Sequence, residues 1–126
     1  QSVDFKGILL KPNMVISGKD SVNRAEPEEV AYQTLSCFND TVPASVPGIV
    51  FLSGGQGDEE ATVNLNSINI KAKELKSPWE LSFSYGRGLQ AAPLKEWQGK
   101  KEKEKSAQNI FYERSKAVSL ARQGKY

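Results

Sequence analysis

Lys11 stands in the stretch GILLKPNMV, residues 7–15, an ammonium group in an otherwise apolar run of strand character, with a proline directly after it. A lysine that becomes desolvated shifts its pKa downward and carries its amine in the neutral, nucleophilic form, one established route to a Schiff-base catalyst. The ordinary alternative is a lysine at a strand end that snorkels to solvent. Two further stretches suit anions. In LSGG, residues 52–55, Ser53, Gly54 and Gly55 place backbone amides where they could face a negative group, with a helix start a few residues on. A Gly-Gly turn after a strand also serves simply as a tight connection. In SYGRG, residues 84–88, Ser84 and Gly86 are joined by Arg87, whose planar fork suits a phosphate. Two anion-suited turns on neighbouring strands point to a phosphate pocket.

The elements that must position these residues follow from hydrophobic spacing. Residues 7–10 read as a strand that extends weakly towards Val15, and Pro12 permits only a strand end or edge. Residues 16–26 are polar and contain Gly18, a loop by composition. Pro27, Glu28 and Glu29 suit a first helical turn, and Ala31, Leu35, Phe38 and Val42 continue as a helical stripe ended by Pro43. Residues 49–52 form a short apolar strand that runs through the glycine turn into an acidic helix start, with Ala61, Leu65 and Ile68 as the buried face. A polar linker with Lys71, Lys73, Lys76 and Pro78 precedes WELSFSYGRG, where Leu81, Phe83 and Tyr85 alternate in strand fashion. From Lys100, a mixed-charge run leads into a long helix with Ala107, Ile110, Phe111, Ala117, Val118 and Ala121 on one side and Gly124 as its cap. Strand, helix, strand, helix, strand, helix argues an α/β fold with parallel strands, either an open doubly wound sheet or a closed barrel. Both put functional residues at the carboxyl ends of the strands. Here those ends carry Lys11, Ser53 to Gly55, and Ser84 to Arg87.

Composition narrows the chemistry. The chain has 126 residues, 17 Lys and Arg against 15 Asp and Glu, a formal net charge of +2 and no histidine. That is the length of one domain, with no apolar stretch fit to span a membrane and no charge excess that calls for nucleic acid. Without histidine the commonest general base, the Ser-His and Cys-His pairs and the usual zinc ligands are missing. The one cysteine, Cys37, forms no internal disulfide, which fits a reducing cytoplasmic compartment, and reads as a small core hydrophobe. The opening QSVDFKG carries no signal pattern and reads as a chain cut from something longer.

LLKPNMV, FLSGGQ, EEATVNLNSIN, PWELSFSYGRGLQ, LKEWQGKKE and QGKY together resemble the carboxyl-terminal part of class I fructose-bisphosphate aldolase, in the same order over nearly the whole chain. That family is a (β/α)8 TIM barrel of glycolysis that cleaves fructose 1,6-bisphosphate through a lysine Schiff base, without metal or other cofactor. The resemblance implies that residues 1–126 hold the last three βα units and the terminal helix, an incomplete domain. It makes Lys11 similar to the Schiff-base lysine and matches Ser53, Gly54, Gly55, Ser84, Gly86 and Arg87 to positions that bind a substrate phosphate. A whole barrel needs about 250 residues. The resemblance therefore implies an upstream segment with five strands, the proton-transfer acids and further basic residues, and a tail beyond GKY. The spacing IKAKELKSP, residues 70–78, is longer than the family's between its second and third strands here.

The chain alone is then expected to be inactive, and to self-associate or lie within a larger assembly, because its outer strands leave open edges and a barrel-facing side with Leu9, Phe51 and Phe83. Partners implied are a phosphorylated ketose, the upstream segment, further copies in a tetramer and cytoskeletal proteins, with neither nucleic acid nor membrane. The competing reading is a non-catalytic phosphosugar-binding or protein-interaction fragment.

Overall fold

A computed structural model describes residues 2–126. Its sheet has three parallel strands, β1 (Leu9–Leu10), β2 (Gly48–Phe51) and β3 (Glu80–Phe83), in the order β1-β2-β3. Helix α1 (Pro27–Thr41) links β1 to β2 and helix α2 (Asp58–Leu75) links β2 to β3. After β3 come α3 (Arg87–Trp97), a short 3-10 turn (Lys101–Lys103) and α4 (Glu104–Arg122). The register pairs Leu9 with Gly48, Ile49 with Leu81 and Phe51 with Phe83. Among the described residues the outer edges of β1 and β3 have no strand partner.

Local sequence accounts for the helix ends. Pro27 occupies the first turn of α1, where its missing N–H costs nothing, and Glu28 and Glu29 complement the dipole there. At the start of α2 the Glu60 carboxylate accepts from the Gly57 amide at 3.2 Å, satisfying a donor that helical bonding leaves free. Gly124, at φ +66°, turns the chain beyond α4.

The core lies on one face of the sheet, where Ile49, Phe51 and Leu81 meet Val30, Ala31, Leu35 and Phe38 of α1, Ala61, Leu65 and Ile68 of α2, and Val118 and Ala121 of α4. Phe38 stacks on Phe51 with ring centroids 5.8 Å apart and meets Trp79 edge-on at 6.2 Å. Aromatic pairs in these geometries add to the burial of their area.

Five expectations need correction. Phe51 and Phe83 lie on this helix-packed face, so of the three residues assigned to the other side only Leu9, 65% exposed, is there. The run 49–52 is apolar throughout, so its composition carries no alternation to assign its faces. Cys37 is exposed, since it falls off the stripe that buries Ala31, Leu35 and Phe38. Phe111 is likewise exposed. The polar linker is mostly helix: α2 runs to Leu75 because Ala72 extends the stripe of Leu65 and Ile68, and Lys76 closes it in the left-handed region. Finally, α3 is an element where only a turn was expected.

Candidate functional site

The carboxyl ends of the three strands stay in line beyond the sheet itself. The Leu52 amide donates to Pro12 O at 3.1 Å and the Ser84 amide to Phe51 O at 2.8 Å, which carries the parallel pairing one step further on each side. Asn13 then ties the first two ends together. Its side-chain amide donates to Gly54 O at 3.2 Å while its carbonyl oxygen accepts from the Met14 amide at 2.9 Å. Behind it Met14 is buried, and the Val15 amide donates to the buried Thr34 hydroxyl of α1 at 3.0 Å. Leu9, Lys11, Asn13 and Val15 are exposed while Leu10, Pro12 and Met14 are covered. Lys11 therefore projects on the open face with Leu9, on a segment fixed on both sides by hydrogen bonds.

At the end of β2 the chain turns tightly, the Gln56 amide donating to Ser53 O at 3.3 Å. Gly55 adopts φ +79° there, a conformation that glycine takes without a steric penalty. Arg24, from the loop before α1, donates to Gly55 O at 3.3 Å and pairs with Glu60. At the end of β3, Gly88 is buried against Ser53, so that a methyl group there would stand 3.2 Å from the Ser53 hydroxyl and 3.3 Å from the Tyr85 ring. Glycine at 88 lets the first turn of α3 rest directly on the β2 turn.

These turns enclose a cleft of about 460 Å³ lined by Lys19, Ser53, Gly55, Gln56, Asp58, Arg87 and Ala91. Three sequence-expected residues, Ser53, Gly55 and Arg87, share it; Gly54, Ser84 and Gly86 lie beside it in the chain, and Lys11 lies one strand away across the Asn13 bridge. Two helices start here with opposite character. The first turn of α2 already holds Asp58, Glu59 and Glu60, whereas that of α3 has no acid and begins with Arg87. An anion is therefore best accommodated against α3. The sequence marks both turns as anion-suited but reads the second as a turn alone, because α3 fully buries only Gly88 and carries Pro93 in its interior. Lys19 was also missed, on a loop with no pattern that marks it.

Tyr85, just behind the cleft, donates to Ala61 O at 2.9 Å. Burial pushes its phenol above the ordinary tyrosine range, partly opposed by the charge of Arg114. The neutral form is thus favoured in the folded state, and stability from this group is complete below pH ~10 and lost as pH rises through the unfolded value towards the higher folded one. Thermal melting followed by circular dichroism should show a decline above pH ~10 that is smaller in Tyr85→Phe. An identical decline in the variant would assign the alkaline loss to other groups. Below that pH, Tyr85→Phe should cost about 1 kcal/mol for the lost hydrogen bond.

Comparison with known proteins fixes the family. The family model described as fructose-bisphosphate aldolase class-I matches residues 1–126. The chain is 54% identical to the cytosolic fructose-bisphosphate aldolase 4 of Arabidopsis thaliana over 98% of its own length and 31% of the relative's. It is 51% identical to fructose-bisphosphate aldolase B of Ovis aries over 98% of its length and 34% of the relative's. Chloroplastic aldolases of Arabidopsis match at similar identity, so the compartment varies among relatives. A solved structure of the Plasmodium falciparum aldolase, in complex with TRAP and a small-molecule inhibitor, superposes with a TM-score of 0.92 at 49% identity, over 99% of this chain and 35% of that one. The chain thus spans about a third of the length of the relatives it matches, and it belongs to the class I fructose-bisphosphate aldolase family.

Proposed function

We propose that residues 1–126 are the carboxyl-terminal portion of a metal-free, Schiff-base aldolase that cleaves fructose 1,6-bisphosphate to dihydroxyacetone phosphate and glyceraldehyde 3-phosphate. The observation that carries this reading is the union of Ser53, Gly55 and Arg87 in one cleft, with Lys11 held one strand away by Asn13. In this account a substrate phosphate sits between Arg87 and the amides of the two glycine turns, with Ser53, Gly54, Gly55, Ser84 and Gly86 shaping its seat. Binding energy from that phosphate becomes positioning of the ketone against Lys11.

The Lys11 amine then adds to the ketone carbon and water leaves, forming an iminium. Its positive nitrogen accepts the electron pair of the carbon–carbon bond as that bond breaks, while the neighbouring hydroxyl gives up its proton and departs as the aldehyde. Protonation of the resulting enamine and hydrolysis return dihydroxyacetone phosphate and free Lys11. The proton-transfer acids and the other phosphate's binding residues belong to the upstream segment, which also covers the open face at Leu9. The working form in this reading is a cytoplasmic homotetramer, and the complex of the Plasmodium relative with TRAP supports a capacity for protein partners.

A coupled assay tests the proposal. The full-length protein carrying this chain should cleave fructose 1,6-bisphosphate in the presence of a metal chelator, and the 126-residue chain alone should not. Turnover abolished by the chelator, or none in the full-length protein, would refute it.

A further inference from the structure

Arg114 of α4 is 15% exposed and lies behind the cleft, between the first turns of the two helices that form its walls. Its Nε donates to Gly88 O at 3.1 Å, on the α3 side. Its Nη2 donates to Asp58 O at 3.0 Å and to the Thr62 hydroxyl at 2.9 Å, on the α2 side. The Thr62 hydroxyl in turn donates to Asp58 O at 2.8 Å, so this side of the grip is doubly fastened. Gly88 directly follows Arg87 and packs on Ser53, and Asp58 lines the cleft. One planar guanidinium thus spans the two walls, beside the bond that the Tyr85 hydroxyl makes from the end of β3 to Ala61 O of α2. Its fork geometry is what makes both bonds at once.

We propose that Arg114 is a positioning residue for phosphate recognition: it fixes the spacing between the Ser53 turn and the Arg87 turn without touching the ligand. Its bond to Gly88 O keeps the first turn of α3 seated on Ser53, while its charge is partly offset by the Glu59 carboxylate 4.0 Å away. A lysine at 114 keeps the charge but not the fork, and reaches one wall at a time. This inference rests on the phosphate reading given above.

The test uses the full-length protein with inorganic phosphate as the probe, titrated by calorimetry, beside borohydride trapping of unphosphorylated dihydroxyacetone. Arg114→Met should raise the phosphate dissociation constant about tenfold, leave trapping unchanged, and be partly rescued in Arg114→Lys. Parallel loss of phosphate binding and trapping, or unchanged phosphate binding, would overturn the positioning role. If Arg114→Met does not fold, Arg114→Lys decides: a raised constant with a native melting profile supports the role, and an unchanged constant refutes it. Arg87→Ala serves as the control on the parent reading. If Arg87→Ala also leaves phosphate binding intact, the phosphate site itself is wrong; if it alone weakens binding, only the role of Arg114 fails.

Discussion

Lys11→Met in the full-length protein should lower the rate of fructose 1,6-bisphosphate cleavage by on the order of 10⁴-fold or more, the scale seen when a covalent nucleophile is removed. Methionine keeps the length and apolar stem of lysine and lacks the amine. The surrounding geometry does not depend on that amine: the segment is held by Leu52 to Pro12 O, Asn13 to Gly54 O and Val15 to Thr34. Phosphate binding should therefore stay within a few-fold of the parent. Lys11→Arg sharpens the result. Arginine retains a positive charge but never offers a neutral amine near neutral pH, so it should be as inactive as the methionine variant. A substantially active Lys11→Arg would mean that Lys11 acts through charge alone. Both are read in a coupled steady-state assay with calorimetry on inorganic phosphate.

Arg87→Ala has the second largest expected effect. Arg87 opens α3 at the one helix start in the cleft that carries no acid, and a charge-assisted bond from its fork is worth ~2 kcal/mol, about a thirtyfold weakening of phosphorylated ligands. Dihydroxyacetone, which lacks the phosphate, should be trapped as well as by the parent. Arg87→Lys should recover part of the loss, since a lysine supplies the charge without the two-pronged geometry. Equal losses for phosphorylated and unphosphorylated ligands would make Arg87 a structural residue.

Much of the arrangement was legible in the chain because its punctuation is strong. Pro12, the Gly54-Gly55 turn and the Gly86-Arg87-Gly88 turn mark the three strand ends, and the stripes of α1 and α2 place the helices between them. What escaped did so for physical reasons. Helix α3 fully buries only Gly88, covers Leu89, Ala92 and Pro93 in part and carries a proline in its interior, so its stripe is weak. The charges around Ala72 masked the last turns of α2. The facing of Phe51 and Phe83 depends on which side of the sheet the helices cover, a tertiary fact that neither the continuous apolar run at 49–52 nor the alternation at 81–85 encodes. The bridges made by Asn13 and Arg114 join residues 41 and up to 56 positions apart, beyond the reach of any local pattern.

The central claim is that Lys11 forms the covalent intermediate. Borohydride reduction of the full-length protein with dihydroxyacetone phosphate, followed by peptide mass spectrometry, tests it most directly. The account predicts a single reduced adduct on the peptide carrying Lys11, suppressed by excess inorganic phosphate. An adduct on Lys6 or Lys19 instead, or none on any lysine, would contradict it.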